Sequence, residues 1–322
     1  MNRRDFLLYT GAAAATAGVP VAWGQHSSPE TATPEIAFTF DDPTTDGGAG
    51  LTWQEVNEHM LATLAGANLK AVLFVVGKRV NSDSGQQLIA AWDRASHLIG
   101  NHSYSHIYFN ASADKDGSKK VTLAEFEADA LKNEPFIRPY QHFTRLFRYP
   151  YFKEGDTVEK RNGSRAFLLE HGYRIGRATI DASDWAISAR LEKRAVADPH
   201  AELVGYRDFF LQHIWERAQF YDSLAQRLLA RPVRHTVVLH HNPLNALFLG
   251  DLIAMFRKKG WKPVDAEYAY KDDVYDRQPK ILPAGESLIW ALAKEGGKFE
   301  KELRYPGEDD VYENPGMDAL KL

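Results

Sequence analysis

Hydrophobic positions along this chain alternate between two periods. Short runs rich in β-branched and aromatic residues predict strands over residues 36–40, 71–76, 97–100, 146–148, 174–180, 236–239 and 262–264. Between them, apolar residues three and four apart predict helices over residues 53–65, 86–95, 123–136, 158–171, 202–229 and 244–259. Punctuation agrees with the pattern: Thr122 with Glu125 forms a capping box, and Gly172 and Gly260 close two helices. The run Ala71-Val72-Leu73-Phe74-Val75-Val76 is apolar on both faces, as a strand covered by helices on either side must be. Strands alternating with helices imply a parallel, barrel-like α/β fold over residues 35–265. Residues 266–322 break the alternation, with one helix expected from Pro283 to Lys294, and read as a C-terminal extension.

The first residues follow a different logic. Arg3-Arg4 precedes Phe6-Leu7-Leu8 and a small apolar run, which resembles a twin-arginine export signal over residues 1–24. A general secretory signal or an uncleaved anchor in the inner membrane are the alternatives. The expectation is an exported protein, periplasmic or secreted, with a polar linker over residues 25–34. No later stretch is long and apolar enough to span a bilayer.

Composition narrows the chemistry. With 322 residues, 44% hydrophobic and 25% charged, the chain is of ordinary globular make-up, and its net charge of -4 lacks the basic excess of nucleic-acid binders. It has no cysteine, which removes disulfides, thiolate metal sites and Cys nucleophiles.

Five polar clusters each end a hydrophobic run: Thr39-Phe40-Asp41-Asp42, His102-Ser103-Tyr104-Ser105-His106, Arg148-Tyr149-Pro150-Tyr151, Asp181-Ala182-Ser183-Asp184-Trp185 and Leu239-His240-His241. Active sites of barrel-type α/β folds are built at the carboxyl ends of strands. Taken alone, Asp41-Asp42-Pro43 reads as a loop-capping turn, and histidines four apart occur as packed residues. Taken together, the clusters supply ligands, base, acid and orienters for metal-assisted hydrolysis. On a helical turn His102 and His106 would face the same way and share a cation. Strand alternation separates His240 from His241; Leu239 shares a face with His241, which favours His241 and leaves His240 open.

The five motifs, in this order, resemble those of the polysaccharide deacetylase family, the carbohydrate esterase group with the chitooligosaccharide deacetylase homology domain. The resemblance implies a distorted (β/α)7-type barrel. It implies Asp42, His102 and His106 as ligands of a divalent metal, usually zinc and sometimes cobalt, nickel or manganese. Asp41 would be the general base, paired with Arg148. His241 would be the general acid, oriented by Asp184, and the Tyr151 N–H would face the developing oxyanion. Trp185 and Leu239 would wall the acetyl pocket.

The implied partner is an acetylated glycan, and the implied reaction is removal of N-acetyl groups from a chitooligosaccharide- or peptidoglycan-type amino sugar. The rival readings are an O-acetyl esterase on a xylan-like glycan and a non-catalytic glycan-binding protein with the same fold. Asn242, where the family often has Asp, is a departure. The loop at residues 46–50 and the charged stretch at residues 186–201 lie where sugar subsites are expected, and Tyr104, Tyr108, Phe109, Tyr151 and Phe152 are candidates for stacking on sugar rings.

Overall fold

The computed structural model describes residues 33–110, 121–304 and 307–322. The export-signal reading, and most of the linker that follows it, fall outside the described residues. The strands are β1 (Glu35–Asp41), β2 (Val72–Val75), β3 (Leu98–Asn101), β4 (Phe143–Phe147), β5 (Lys153–Gly155), β6 (Arg174–Ile175), β7 (Arg234–His240), β8 (Lys262–Pro263) and β9 (Ala284–Gly285). The helices are α1 (Trp53–Ala67), α2 (Asp83–Arg94), α3 (Leu123–Lys132), α4 (Glu134–Ile137), α5 (Val158–Glu170), α6 (Asp184–Ala197), α7 (Val204–Leu229), α8 (Pro243–Lys258), α9 (Ala266–Ala269), α10 (Leu288–Gly296) and α11 (Asp310–Ala319).

The main sheet is parallel throughout, in the order β6-β4-β3-β2-β1-β7, with β8 beside the first residues of β1. The expected strand over residues 174–180 is split: Arg174 and Ile175 pair with β4, whereas Ile180 bridges Val237 of β7. That one segment links the two edges of the sheet and closes it into the distorted barrel. Such closure removes edges that would otherwise be open to pairing.

Period-two alternation decides what each strand offers to each side. In β1, Phe38 packs edge-on to Phe256 of α8 and Phe40 to Trp92 of α2, so these two rings face the helices. Thr39 and Asp41 therefore face the barrel interior. The interior beneath the site is filled by Phe74, whose ring lies where a Cβ on Gly100 or Gly176 would come within 2.7 or 2.5 Å of it. Both positions need glycine because the ring and a side chain cannot share the space. Gly176→Ala is expected to destabilise the protein by about 1–3 kcal/mol through overpacking, read as a lowered midpoint in urea unfolding.

Three sequence expectations change. The charged stretch after Trp185, given no element above, forms most of helix α6, which buries Ala186, Ile187, Ser188 and Leu191. The helix expected over residues 123–136 is divided at Asn133 into α3 and α4, because Asn133 turns inward to donate to the Val75 carbonyl and to Asn101. Residues 266–322 do not trail away: Tyr270, Tyr275, Leu288, Trp290 and Met317 belong to the same core as the barrel.

Candidate active site

The strand ends converge through backbone turns that few residues adopt. Asp42, Ser103, His106, Tyr151, Phe152 and Ser183 all have φ between 47° and 62°, and all lie at the carboxyl ends of strands. Left-handed non-glycine residues concentrated at one end of a barrel mark a functional site. His102 and His106 meet there through two such turns, at Ser103 and His106, and not on the helical turn expected from their spacing. Asp129 of α3 anchors the loop by accepting from the Tyr104 and Ser105 amides and the Ser105 hydroxyl.

Asp42, His102 and His106 each offer a ligand atom within 4.8 Å of the others. The Nε2 atoms of His106 and His102 stand 3.4 and 3.8 Å from Asp42 Oδ1. That oxygen is buried and accepts no hydrogen bond. His102 Nδ1 lies 2.8 Å from the Arg148 carbonyl, which can only accept, so Nδ1 carries the proton and Nε2 presents a lone pair to the cluster. Burial pushes both imidazoles down to about 4, so both are neutral at pH 7. Two neutral imidazoles and an orphaned carboxylate oxygen fit a divalent cation with positions left open, and the N/O donor set suits zinc, cobalt, nickel or manganese.

The neighbouring carboxylates are driven apart. Asp41 is raised above the ordinary range, because burial outweighs the charge of Arg148. Burial acts the same way on Asp42, but His106 and His102, which gain charge in the acid range where a carboxyl titrates, together with Arg79 outweigh it and hold that group low. Two adjacent carboxyls with opposite shifts divide into an ionised ligand and a stronger base. Arg148 is fully enclosed, and each of its three guanidinium nitrogens has a partner. Its Nη1 donates to Asp41 Oδ1 (2.7 Å) and Thr39 Oγ1 (2.9 Å), its Nε to the Gly176 carbonyl (2.8 Å) and its Nη2 to the Tyr270 hydroxyl (3.0 Å). The guanidinium lies 4.0 Å from the centre of the Phe74 ring.

The acid is His240. The expectation of His241 was wrong, and so was that of Leu239 as a pocket wall. Asp41 is paired with His240 and Phe40 with Leu239 in the β1–β7 register, so His240 shares the interior face of Asp41 while Leu239 shares the helix-facing side of Phe40. His241 sits on that outer side, its ring 6.3 Å from Trp92 and its Nε2 3.4 Å from Asn57 Oδ1; burial drives it down to about 4. Leu239 and His241 do share a face, but it is the one turned away from the site. Val238 takes the position beside His240.

His240 Nδ1 lies 2.6 Å from Asp184 Oδ1, and its amide donates to Asp184 Oδ2. Burial opposes a charged ring, but the charge and hydrogen bond of Asp184, with Asp41 and Asp42 behind them, hold His240 up at about 9. Asp184 is lowered despite its burial, chiefly by His240, and Asn242 and Asn245 add two donors to its Oδ2. Asn242 thus ties down Asp184 and also caps α8 through Asn245 N.

Around the mouth, the Tyr151 ring packs 4.4 Å from His106 and 5.5 Å from Tyr108, and Trp185 is half-exposed at the start of α6. Among the other stacking candidates, Phe109 is core, packed against Phe126 and Tyr149, and Tyr104 packs against Phe136 under Lys132. Three contributors had no local signal in the sequence: Arg79, 3.5 Å from Asp42; Asn245; and Tyr270. A second group of ligating types, His213, Glu308 and Glu313, differs in kind, since Glu308 is held by Arg217 (3.1 Å) and Arg304 (2.8 Å), whose charges oppose a cation.

A parallel barrel whose strand ends gather an Asp-His-His cluster, a buried Arg–Asp pair and a His–Asp pair defines a hydrolase-type α/β site. Residues 28–169, a little under half of the chain, match the family model described as polysaccharide deacetylase. The chain is 27% identical over 152 residues to a peptidoglycan-N-acetylglucosamine deacetylase of Bacillus cereus, a match that covers 47% of this chain and 46% of the relative. It thus spans about half the length of that curated relative. Among solved structures it resembles a mutant, with restored enzymatic activity, of a CE4 family pseudoenzyme from Bacillus anthracis, at 19% identity and a TM-score of 0.50 over 74% of this chain and 68% of the other. That likeness is one of fold.

Proposed function

We propose that this protein is a metal-dependent hydrolase that removes N-acetyl groups from an amino-sugar polysaccharide or oligosaccharide. The observation that carries the reading is the presence of two proton-handling pairs, Asp41–Arg148 and His240–Asp184, around the Asp42–His102–His106 cluster. A divalent cation held by those three residues would polarise the acetyl carbonyl and acidify the attacking water.

Asp41, with its raised proton affinity, takes the proton from that water, and Arg148 keeps the carboxylate aimed. The carboxylate of Asp184 accepts from His240 Nδ1, so Nε2 is the proton-bearing atom that remains for the reaction. His240 then gives this proton to the departing sugar nitrogen. Tyr151 contributes its backbone N–H to the carbonyl oxygen and Trp185 closes one wall of the acetyl pocket. An alcohol leaves an ester with less help than an amine leaves an amide, so an acid as strongly supported as His240 favours N-acetyl over O-acetyl groups. The name of the Bacillus cereus relative supports an N-acetylglucosamine-containing substrate.

Acetate release from chitin oligomers, peptidoglycan and acetylated xylan, each with and without a chelator, tests the reading. Release from an amide substrate that stops with chelator and returns with zinc or cobalt is expected. Release from xylan alone would assign O-acetyl groups instead. Binding of a glycan with no release by metal-loaded protein would identify a non-catalytic lectin.

A further inference from the structure

Beyond the residues that touch substrate or metal, one side chain from the C-terminal segment reaches the catalytic base through its arginine. Tyr270 directly follows α9 and is almost fully buried. Its hydroxyl accepts from Arg148 Nη2 at 3.0 Å and donates to the Arg177 carbonyl at 3.2 Å. Among the described residues no other hydrogen-bond partner takes the Nη2 group, whereas Nη1 and Nε are engaged by Thr39, Asp41 and Gly176. The tyrosine is itself fixed from both sides. Ala266 N donates to the Lys70 carbonyl and Lys70 N to Asp265 Oδ1, both at 2.8 Å. The Tyr275 ring packs 4.8 Å away, with its hydroxyl on Arg234 O (2.8 Å) and Thr236 Oγ1 (3.0 Å).

We infer that Tyr270 is a positioning residue for the reaction: it tethers the free end of the Arg148 guanidinium, and so residues outside the family-matched segment complete the catalytic base. This rests on Asp41 being that base. A planar guanidinium aims its donors as one rigid fork, so releasing Nη2 lets the fork rotate about Nε and carries Nη1 off Asp41 Oδ1. Displacements of this size at a reacting group are costly in rate, of order 100-fold for about 1 Å.

Tyr270→Phe is therefore expected to lower kcat about 10- to 100-fold with KM and bound metal unchanged. Tyr270→His, whose ring nitrogen can accept from Nη2, is expected to recover part of that loss. Tyr275→Phe is the control for a structural effect alone, since its hydroxyl bonds Arg234 O and Thr236 Oγ1 and not Arg148: a lower Tm with wild-type kcat is expected. Wild-type kcat in Tyr270→Phe, or equal kcat losses in Tyr270→Phe and Tyr275→Phe, would overturn the inference. If the wild-type protein releases acetate from no glycan, the functional reading fails, but the tether is still decided by a crystal structure of Tyr270→Phe. A rotated Arg148 supports it and an unmoved one overturns it. Should Tyr270→Phe fail to fold, the same structural comparison on Tyr270→Leu, which also offers Nη2 no acceptor, decides.

Discussion

Replacing His240 with Asn is expected to lower kcat by about 10²–10⁴-fold, the usual range for losing a positioned acid, whereas His241→Asn is expected to leave kcat within a few-fold of wild type. The two residues are adjacent, but the pleat sends them to opposite sides of the barrel wall. His240 points its free nitrogen inward under the hold of Asp184, while His241 packs behind the wall against Trp92. His241→Asn should act on stability, since its ring fills space among buried groups, and should show in the unfolding midpoint. The charge state adds a second readout. His240 is raised to about 9, so the proton it must donate is present at neutral pH and is lost as pH rises through that value. The kcat/KM profile of the wild-type enzyme should accordingly fall on its alkaline side near 9, and His241→Asn should keep that limb. The sign for stability is the same. A raised imidazole stabilises the fold fully below its unfolded pKa of about 6.5, and this contribution disappears as pH climbs through 9. Wild-type turnover by His240→Asn would end the assignment.

The adjacent histidines also show what a single sequence holds and what it leaves out. Alternation states that Leu239 and His241 share a face, and they do. It does not state which face is inward, because that depends on the neighbouring strand. Pairing Asp41 with His240 and Phe40 with Leu239 resolves it, and that register is a property of two strands two hundred residues apart in sequence. The β1 strand had the needed clue, since Phe38 and Phe40 are the large apolar residues that helices cover, leaving Thr39 and Asp41 inward. The Asp42–His102–His106 cluster was legible because all three residues lie in two short motifs. Its geometry was not, because it arises from left-handed residues at Ser103 and His106 that no periodicity encodes. Residue 270 was beyond reach for a related reason. A tyrosine in an aperiodic, polar stretch carries no signal of its own, and only the closed barrel brings it to Arg148. Helix α6 was not assigned because most of its apolar residues are small and interspersed with charge, so burial of Ile187 and Leu191 comes from the tertiary context.

The largest separable effects should come from the two neighbouring aspartates and their histidine partners. His102→Ala is expected to abolish both metal content and turnover. It removes one of three ligands, and with it the ring whose Nδ1 proton is fixed by the Arg148 carbonyl and whose Nε2 faces Asp42. Asp41→Asn is expected to abolish turnover by about 10²-fold or more while metal content stays at the wild-type level, because Asp41 belongs to Arg148 and not to the ligand cluster. The substitution keeps the shape and leaves an oxygen for Arg148 Nη1, but an amide cannot take a proton from water. Metal content by elemental analysis, measured beside acetate release, separates the two cases. The separation tests the physical claim behind the site, that burial and charge drive Asp41 and Asp42 in opposite directions. Were Asp41→Asn to lose its metal as His102→Ala does, the two carboxylates would be acting as one ligand pair. The division between a base and a ligand would then fall.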